Sequence, residues 1–276
     1  MAVRDYLGLS EFDLVYFHHS QPEIVTRDIA LSKLAVHARR VTAIDRRSNT
    51  LIQLSKLLLA TGAGPRIVFL AAIAHGPILL MFRICPRLRL RTFDEGTYNV
   101  AADGPFFRPG QKRLRSLRQL LLSLFFPSGE LSFAKHRSEF HYTALPPQTN
   151  YMPDKAVRIP INWAQYVSES EVRKVEKARR LLILPCLRDF SGSKADLEKI
   201  TSLAETCDLV VRHPRDSAKL CVNAVSLNSP IEAVIDRLRE TRSLEVFHYA
   251  STVGLSVQGW RGVHLVDLHR PSSSTQ

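Results

Sequence analysis

The sequence predicts an α/β fold built from two Rossmann-like halves. Short apolar strands alternate with amphipathic helices through both halves of the 276-residue chain, a pattern typical of βαβ units with a mostly parallel sheet. A stretch over 142–160 holds four prolines, and proline continues neither a helix nor a central strand, so this stretch is the expected interdomain linker. Apolar residues make up 45% and charged residues 23%, which is ordinary for a globular protein and argues against disorder.

The first predicted domain covers residues 1–155 and alternates in order. Strands are expected at 12–19, 40–45, 66–73 and 88–94, and helices at 21–37, 52–59 and 78–84. A further amphipathic segment over 111–126 places leucines on one helical face and arginines on the other. Such a helix either rests on an anionic membrane surface or packs on the core with a solvated basic face.

The second predicted domain covers residues 156–276 and alternates more regularly. Strands are expected at 181–186, 208–212, 220–225, 244–248 and 262–268. Helices are expected at 193–206, opened by a Ser193 cap, and at 230–239, with Pro230 in the first turn. A turn or helix starts at Ser251. Because ligands of open α/β sheets bind at the carboxyl ends of strands, polar residues that directly follow strands are the candidates for function.

The charge balance points to an anionic partner. The formal net charge is +12, with a pI near 9.9, and such an excess suits nucleic acid, an acidic membrane surface or a phosphorylated substrate. No helix-turn-helix, zinc or RNA-binding signature accompanies the charge, so nucleic acid is the weaker choice. Two clusters carry much of it: Arg83, Arg87, Arg89 and Arg91, then Arg108, Lys112, Arg113, Arg115 and Arg118.

Cysteine usage and hydropathy point to the cytoplasm. The four cysteines form no C-x-x-C pair and no zinc spacing with histidine, which suits a reducing compartment rather than a disulfide framework. The first residues lack the apolar core of a secretory signal. The longest apolar run, 67–82, is interrupted by His75, Gly76 and Pro77, and is too short for a membrane span.

Four sets of polar residues follow predicted strands. Asp94-Glu95-Gly96 offers a cleft carboxylate that can take a proton from a hydroxyl, although Asp and Gly also favour plain turns. His213, restricted by Pro214, is suited to protonate or hydrogen-bond a leaving phosphate, or is an ordinary loop histidine. Ser251 and Thr252 are placed either to bind a phosphate at the start of a helix or simply to cap that helix. Asp189 offers another cleft carboxylate, or lies in a polar loop.

The order and spacing of these motifs resemble the bacterial sialyltransferases. Asp-Glu-Gly in the context Thr-Phe-Asp-Glu-Gly-Thr-Tyr, then His213-Pro214, then Ser251-Thr252 is most similar to glycosyltransferase family 52. That family includes lipooligosaccharide sialyltransferases and has bacterial polysialyltransferases as relatives. The resemblance covers roughly residues 66–258.

The resemblance implies a GT-B fold, in which two Rossmann-like domains face each other across a cleft. It implies inverting transfer of sialic acid from CMP-sialic acid to a galactose-type terminus of a surface glycan, with no catalytic metal and no cofactor. The acceptor side is 1–155 and the donor side 156–276.

The implied base is Asp94 or Glu95, with Asp189 as the candidate in the second domain. The resemblance implies that His213 serves the departing CMP phosphate, that Ser251 and Thr252 bind it, and that Glu232 contacts the ribose. Gly96 and Pro214 complete the implied donor-binding set. A lipid-linked acceptor would suit the basic segment 111–126 on an inner membrane. The alternative is a transferase of the same fold that uses another nonulosonic acid or nucleotide sugar, and a less favoured one is a basic nucleic-acid-binding protein.

Overall fold

The chain has two compact units, Met1–Ile161 and Asn162–Gln276, called unit 1 and unit 2 below. The structure is a computed structural model that describes residues 2–18, 34–62, 64–71, 75–94, 124–146, 150–186, 190, 192–213, 224–227, 229–249 and 251–269. Within these residues every strand pairing is parallel. The α/β class and the parallel sheets predicted from the alternation are thereby confirmed.

Unit 1 contains a two-stranded and a four-stranded sheet. In chain order its elements are α1 (Ala2–Tyr6), β1 (Asp13–His18), β2 (Arg40–Asp45), α2 (Thr50–Thr61), β3 (Ile67–Leu70), α3 (Gly76–Ile84), β4 (Arg89–Phe93), α4 (Glu130–Arg137), β5 (Ser138–Thr143), a 3-10 turn (Pro153–Lys155) and β6 (Ala156–Arg158). β1 pairs with β2, and the larger sheet has the order β3-β4-β5-β6.

The helices of unit 1 begin and pack as their sequences dictate. The Asn49 side chain accepts a hydrogen bond from the Leu51 N–H at 2.9 Å and so caps α2. The inward face of α2 buries Leu54 and Leu57 in one core cluster with the apolar residues of α3. α3 is buried over most of its length, and Phe82 is only 1% exposed. A helix that is apolar on most of its faces is typical of a protein interior.

The proline-rich stretch over 142–160 is not a linker, and that expectation was wrong. It contains the last residues of β5 and all of β6, which pairs with β5 through His141 to Thr143. Proline is compatible with this arrangement because β6 is a three-residue edge strand that ends before Pro160. Lys155, just before β6, donates to the carbonyl oxygens of Lys135 at 2.7 Å and Ser138 at 2.5 Å, which ties β6 to the end of α4.

Unit 2 contains one parallel sheet with the strand order β10-β9-β7-β8. In chain order its elements are a 3-10 turn (Trp163–Tyr166), α5 (Glu169–Val175), β7 (Arg180–Ile183), α6 (Lys194–Thr206), β8 (Leu209–Val211), α7 (Ile231–Arg239), β9 (Leu244–His248), α8 (Thr252–Val257) and β10 (Val263–Asp267). The chain leaves β7 toward one side and β9 toward the other. A topological switch point, where ligands of open α/β sheets bind, therefore lies at the carboxyl ends of β7 and β9.

The predicted helices and strands agree with the structure only in part. The strands expected at 40–45 and 244–248 have those bounds, whereas α4, β5 and α5 were not predicted. The strand expected at 220–225 has only Val225 in a described bridge, with Val211. The helix expected at 21–37 falls largely outside the described residues, as does most of the basic segment 111–126.

Two features of the structure concern the anionic and membrane partners that the charge suggested. Part of the first arginine cluster is neutralised, because Arg89 and Arg91 pair with Glu139 at 2.6 and 3.4 Å. Across the described ranges, none of the helices combines the length and apolar character that crossing a membrane requires.

Candidate functional site

Asp94 lies immediately after β4, where its carboxylate is held by donors from the β5 side of the sheet. Oδ2 accepts a hydrogen bond from the Ala144 N–H at 2.9 Å. Oδ1 lies 3.1 Å from Nε2 of His141 and 3.5 Å from Nδ2 of Asn150. The Asp94 side chain is 19% exposed, so an oriented carboxylate reaches the surface at the carboxyl end of the parallel sheet.

His141 connects this carboxylate to a buried row of hydroxyl groups. Its imidazole is fully buried, and Nδ1 lies 2.9 Å from Oγ1 of Thr92. Thr92 Oγ1 in turn lies 3.1 Å from Oγ of Ser138. The Tyr151 ring packs edge-on to the imidazole, with ring centroids 5.4 Å apart. The polar row Ser138–Thr92–His141–Asp94 thus runs from the sheet interior to the surface.

A β-bulge makes this row geometrically achievable. Leu90 pairs with Ser138, but the next residue, Arg91, pairs with Phe140, so β5 carries one extra residue at Glu139. In a regular strand Ser138 and His141 would face opposite sides of the sheet, because side chains alternate. The extra residue removes that alternation, and both side chains are buried against the Thr92 hydroxyl. Bulges next to functional sites commonly re-aim side chains in this way.

His213 in unit 2 lies at the carboxyl end of β8 and is half-buried. The preceding residue is fixed by two hydrogen bonds: the Arg212 N–H donates to the Val225 carbonyl at 2.9 Å, and its guanidinium donates to the Ala224 carbonyl at 3.3 Å. Both the backbone and the side chain of Arg212 therefore bind backbone carbonyl groups. His213 is the next residue after this fixed end of the strand.

Ser251 lies after β9, at the switch-point edge of the unit 2 sheet, and begins α8. Its side chain makes no capping hydrogen bond, so the plain-cap interpretation is wrong for this serine. Within the described part of the chain, its buried hydroxyl oxygen has no hydrogen-bond partner. Its N–H donates to Nδ1 of His248 at 3.4 Å. Thr252 is the first residue of α8.

Glu232 lies in the first turn of α7, where burial raises the pKa of its carboxyl group. A hydrogen bond with the Ser256 side chain opposes part of that rise. Ser256 belongs to α8. The carboxyl group is thus held between α7 and α8, the helix that Ser251 begins.

The structure leaves several predicted site residues untested. Glu95, Gly96, Asp189 and Pro214 fall outside the described residues. Asp94 belongs to unit 1, while His213, Ser251, Thr252 and Glu232 belong to unit 2. The sequence reasoning missed His141, Thr92, Ser138 and Asn150. Of these, only Ser138 and His141 lie in the run Ser-Glu-Phe-His-Tyr-Thr, which forms β5 and has four polar residues, Ser138, Glu139, His141 and Thr143, among its six.

The residue types that commonly bind metals do not cluster in the described part of the chain. There, no group of three or more histidine, cysteine, aspartate or glutamate side chains is arranged to hold a metal ion. Three described cysteines, Cys85, Cys186 and Cys207, are free thiols. Burial raises the pKa of the Cys207 thiol, which disfavours the reactive thiolate.

Comparison with known proteins identifies the family. The model of glycosyltransferase family 52 matches residues 28–271, which is most of the chain and includes both Asp94 and His213. A search of curated proteins found no matching relative. The chain therefore belongs to glycosyltransferase family 52 and is an enzyme of the sialyltransferase type.

Proposed function

We propose that this enzyme is an inverting, metal-independent sialyltransferase. It moves sialic acid from CMP-sialic acid to a galactose-type terminus of a bacterial surface glycan, such as lipooligosaccharide or capsule. The observation that carries the proposal is the carboxylate of Asp94, oriented by His141 and the Ala144 N–H at the carboxyl end of a parallel sheet, within a chain of family 52.

Asp94 is the proposed general base. A base must reach the proton that it removes and must hold its lone pairs in a fixed direction. Donors on both carboxylate oxygens fix that direction for Asp94, and its partial exposure allows a substrate hydroxyl to approach. Glu95 and Asp189 remain the alternative bases.

The proposed reaction is a single displacement at the anomeric carbon. The acceptor hydroxyl oxygen forms a bond to this carbon while the bond from the carbon to the CMP phosphate oxygen breaks. Asp94 takes the hydroxyl proton. Attack from the face opposite the leaving group inverts the configuration. The reaction releases CMP and a sialylated glycan, and the transition-state barrier falls because the base is already oriented.

His213 is proposed to serve the leaving group. A half-buried imidazole at the end of β8 can donate a proton or a hydrogen bond to the departing phosphate oxygen, which stabilises the charge that develops there. Ser251 supports the same role, because its hydroxyl is buried at the switch-point edge without a partner among the described residues. Thr252 is proposed to bind the phosphate with it, and Glu232 to contact the ribose.

The arrangement of the two units is part of the proposal. In a GT-B arrangement, unit 1 takes the acceptor and unit 2 takes the donor, with Gly96 and Pro214 in the proposed donor-binding set. Each unit has the parallel sheet that this requires. The net charge of +12 supports a cytoplasmic enzyme that binds an anionic inner membrane surface through 111–126 and uses a lipid-linked acceptor.

The test is CMP release from CMP-sialic acid, with and without a galactose-terminated acceptor. We expect acceptor-dependent release by the wild type and losses of about 100-fold or more in kcat for Asp94→Asn and His213→Ala. Glu95→Gln and Asp189→Asn are the matched carboxylate controls. Loss in either control with Asp94→Asn fully active would move the base to that residue.

A donor screen separates the proposal from its nearest alternative. Thermal shifts with CMP, UDP and other nucleotide sugars report which nucleotide stabilises the fold, because a ligand that binds only the folded state raises the melting temperature. A shift with CMP and none with UDP agrees with the proposal. A shift only with UDP-sugars would replace the donor while keeping the family, and transfer of another CMP-linked nonulosonic acid alone would replace the sugar.

A further inference from the structure

His141 is the most deeply placed titratable residue of the Asp94 site, and it belongs to none of the motifs that suggested the family. Its ring is fully buried and its two nitrogens have different partners: Nε2 faces the Asp94 carboxylate at 3.1 Å, and Nδ1 faces the Thr92 hydroxyl at 2.9 Å. Two specific polar contacts on a buried ring define an orientation that simple packing would not require.

The partners determine where the protons lie. An ionised carboxylate only accepts hydrogen bonds, so Nε2 must carry the hydrogen that faces Asp94. A neutral imidazole then presents Nδ1 as an acceptor, and the Thr92 hydroxyl must donate to it. Ser138 donates to the Phe140 carbonyl at 2.9 Å and lies 3.1 Å from Thr92 Oγ1. Thr92 Oγ1 also lies 3.4 Å from the Phe140 carbonyl oxygen, which is farther than the 2.9 Å to Nδ1. Donation from Thr92 to Nδ1 and from Nε2 to Asp94 therefore follows the shorter contact and satisfies both ring nitrogens.

We propose that His141, fixed by Thr92 as the neutral tautomer with its hydrogen on Nε2, is the positioning residue that orients the Asp94 carboxylate for catalysis. The catalytic part of this inference rests on the proposed function, whereas the tautomer and its dependence on Thr92 do not. The bulge at Glu139 is what brings the two contacts together, because it turns Ser138 and His141 toward the same hydroxyl.

His141 acts by orientation and not as a second proton carrier. To receive a proton on Nδ1, the ring would have to lose the hydrogen bond from Thr92 and bury an imidazolium in a site with no exposure. Tyr151 packs edge-on to the ring, which restricts its rotation. The proton taken by Asp94 therefore stays on Asp94 until product leaves.

Two substitutions at position 141 separate its two nitrogens. In His141→Gln, the side-chain amide nitrogen lies close to the position of Nε2 and can still donate to Asp94. In His141→Asn, the amide nitrogen lies close to the position of Nδ1, toward Thr92, and Asp94 loses its donor. We expect His141→Asn to lower kcat about 100-fold, the cost of a misplaced catalytic group, with KM for the CMP-sugar unchanged. His141→Gln should recover at least about 10-fold of that loss.

Nitrogen-15 NMR of the imidazole tests the tautomer without any turnover. We expect the Nε2–H form in the wild type, kept by Thr92→Ser and lost to a tautomer mixture in Thr92→Val, which keeps the shape but removes the hydroxyl. This pair also serves if a position 141 variant fails to fold.

The outcomes are distinguishable from failure of the proposed function. A wild type that transfers no sugar but shows the Thr92-dependent tautomer would reject the sialyltransferase assignment and keep the positioning geometry. An Nδ1–H form in the wild type, no response to Thr92→Val, or equal kcat for His141→Gln and His141→Asn would overturn the inference.

Discussion

Gly254 lies directly against the imidazole of His248, so closely that a β-carbon at position 254 would be 2.3 Å from Cε1 of the ring and 2.4 Å from Nε2. His248 ends β9 and is only 5% exposed, so the ring has little room to move. The same ring accepts a hydrogen bond from the Ser251 N–H through Nδ1. The absence of a side chain at Gly254 therefore lets α8 begin against the strand end and sets the position of Ser251.

Replacing Gly254 with alanine is expected to displace either α8 or the His248 ring. Overpacking of this kind costs about 1–3 kcal/mol, measurable as a lower free energy of unfolding in urea. If Ser251 binds the donor phosphate as proposed, the affinity for CMP should also fall in isothermal titration, because Ser251 moves with α8. Gly64→Ala is the control, since a β-carbon at Gly64 meets nothing within 4 Å.

A double variant shows whether the contact is the cause. Removing the ring in His248→Ala should make room for alanine at position 254. The destabilisation of the double variant should then be clearly smaller than the sum of the two single changes, as expected for residues in direct contact. Additive effects would contradict the explanation and indicate that Gly254→Ala acts through the helix backbone alone.

Asp208 gives unit 2 a predictable acid sensitivity. Hydrogen bonds from the N–H groups of Arg179 and Arg180, at 2.8 and 2.9 Å, lower the pKa of this carboxyl group below its usual 3.8. A lowered pKa in the folded state means that the stabilisation is present above pH 3.8 and is lost as the pH falls through the folded-state value.

Asp208→Asn should therefore reduce stability at pH 7 by about 1 kcal/mol, a figure discounted for the exposure of the group. The difference from wild type should shrink as the pH falls below 3.8, because the wild-type group is then protonated first in the unfolded state and, below its lower folded-state pKa, in both states. Urea denaturation at several pH values measures this. A difference that stays constant with pH would contradict the electrostatic origin.

Local sequence signals were enough to predict most of the described elements. Asp196 lies three residues after Ser193, and this spacing builds the capping box that begins α6. The alternation of strands and helices predicted the parallel sheets. A helix between two strands carries the chain back along the sheet, so that the second strand can run in the same direction as the first.

The buried polar row could not be predicted because it depends on pairing between strands. Thr92 and His141 become neighbours only through the register of β4 on β5, and the bulge at Glu139 has no signature in the local sequence. The predicted linker 142–160 overlapped only the last two residues of β5, and residues 138–141 were assigned to no element. Asp94 was found because it directly follows a strand, whereas its partner His141 lies within one.

Two N-cap serines make a matched pair that separates stability from binding. The Ser193 hydroxyl accepts a hydrogen bond from the Asp196 N–H at 3.2 Å and caps α6, whereas the Ser251 hydroxyl makes no such bond to α8. We expect Ser193→Ala to lower the free energy of unfolding by about 1 kcal/mol, with CMP affinity unchanged.

Ser251→Ala should do the reverse. It removes a buried hydroxyl that lacks a partner among the described residues, so the stability should be retained or slightly raised. If the hydroxyl binds the donor phosphate, CMP affinity should fall by about 10-fold. Urea denaturation and titration calorimetry on both variants measure the two effects. A loss of stability without a loss of affinity in Ser251→Ala would assign this serine a structural role.

Glu232 is expected to trade stability for binding. Its pKa is raised by burial, and an acid with a raised folded-state pKa favours the fold only while it is protonated. This contribution is complete below the usual value of 4.5 and is lost as the pH rises through the folded-state value. Above that window the ionisable Glu232 therefore costs stability, and at pH 7 Glu232→Gln, which can still accept the Ser256 hydrogen bond, should be more stable than the wild type.

The same variant should bind CMP more weakly if the carboxylate accepts hydrogen bonds from the ribose hydroxyl groups. Deoxycytidine monophosphate, which lacks the 2′-hydroxyl, is the matched ligand control, because it should show less difference between wild type and variant. A stability gain that persists below pH 4.5 would contradict the burial effect. Equal loss of affinity for both nucleotides would instead place Glu232 away from the 2′-hydroxyl, and unchanged affinity would leave it with only its contact to α8.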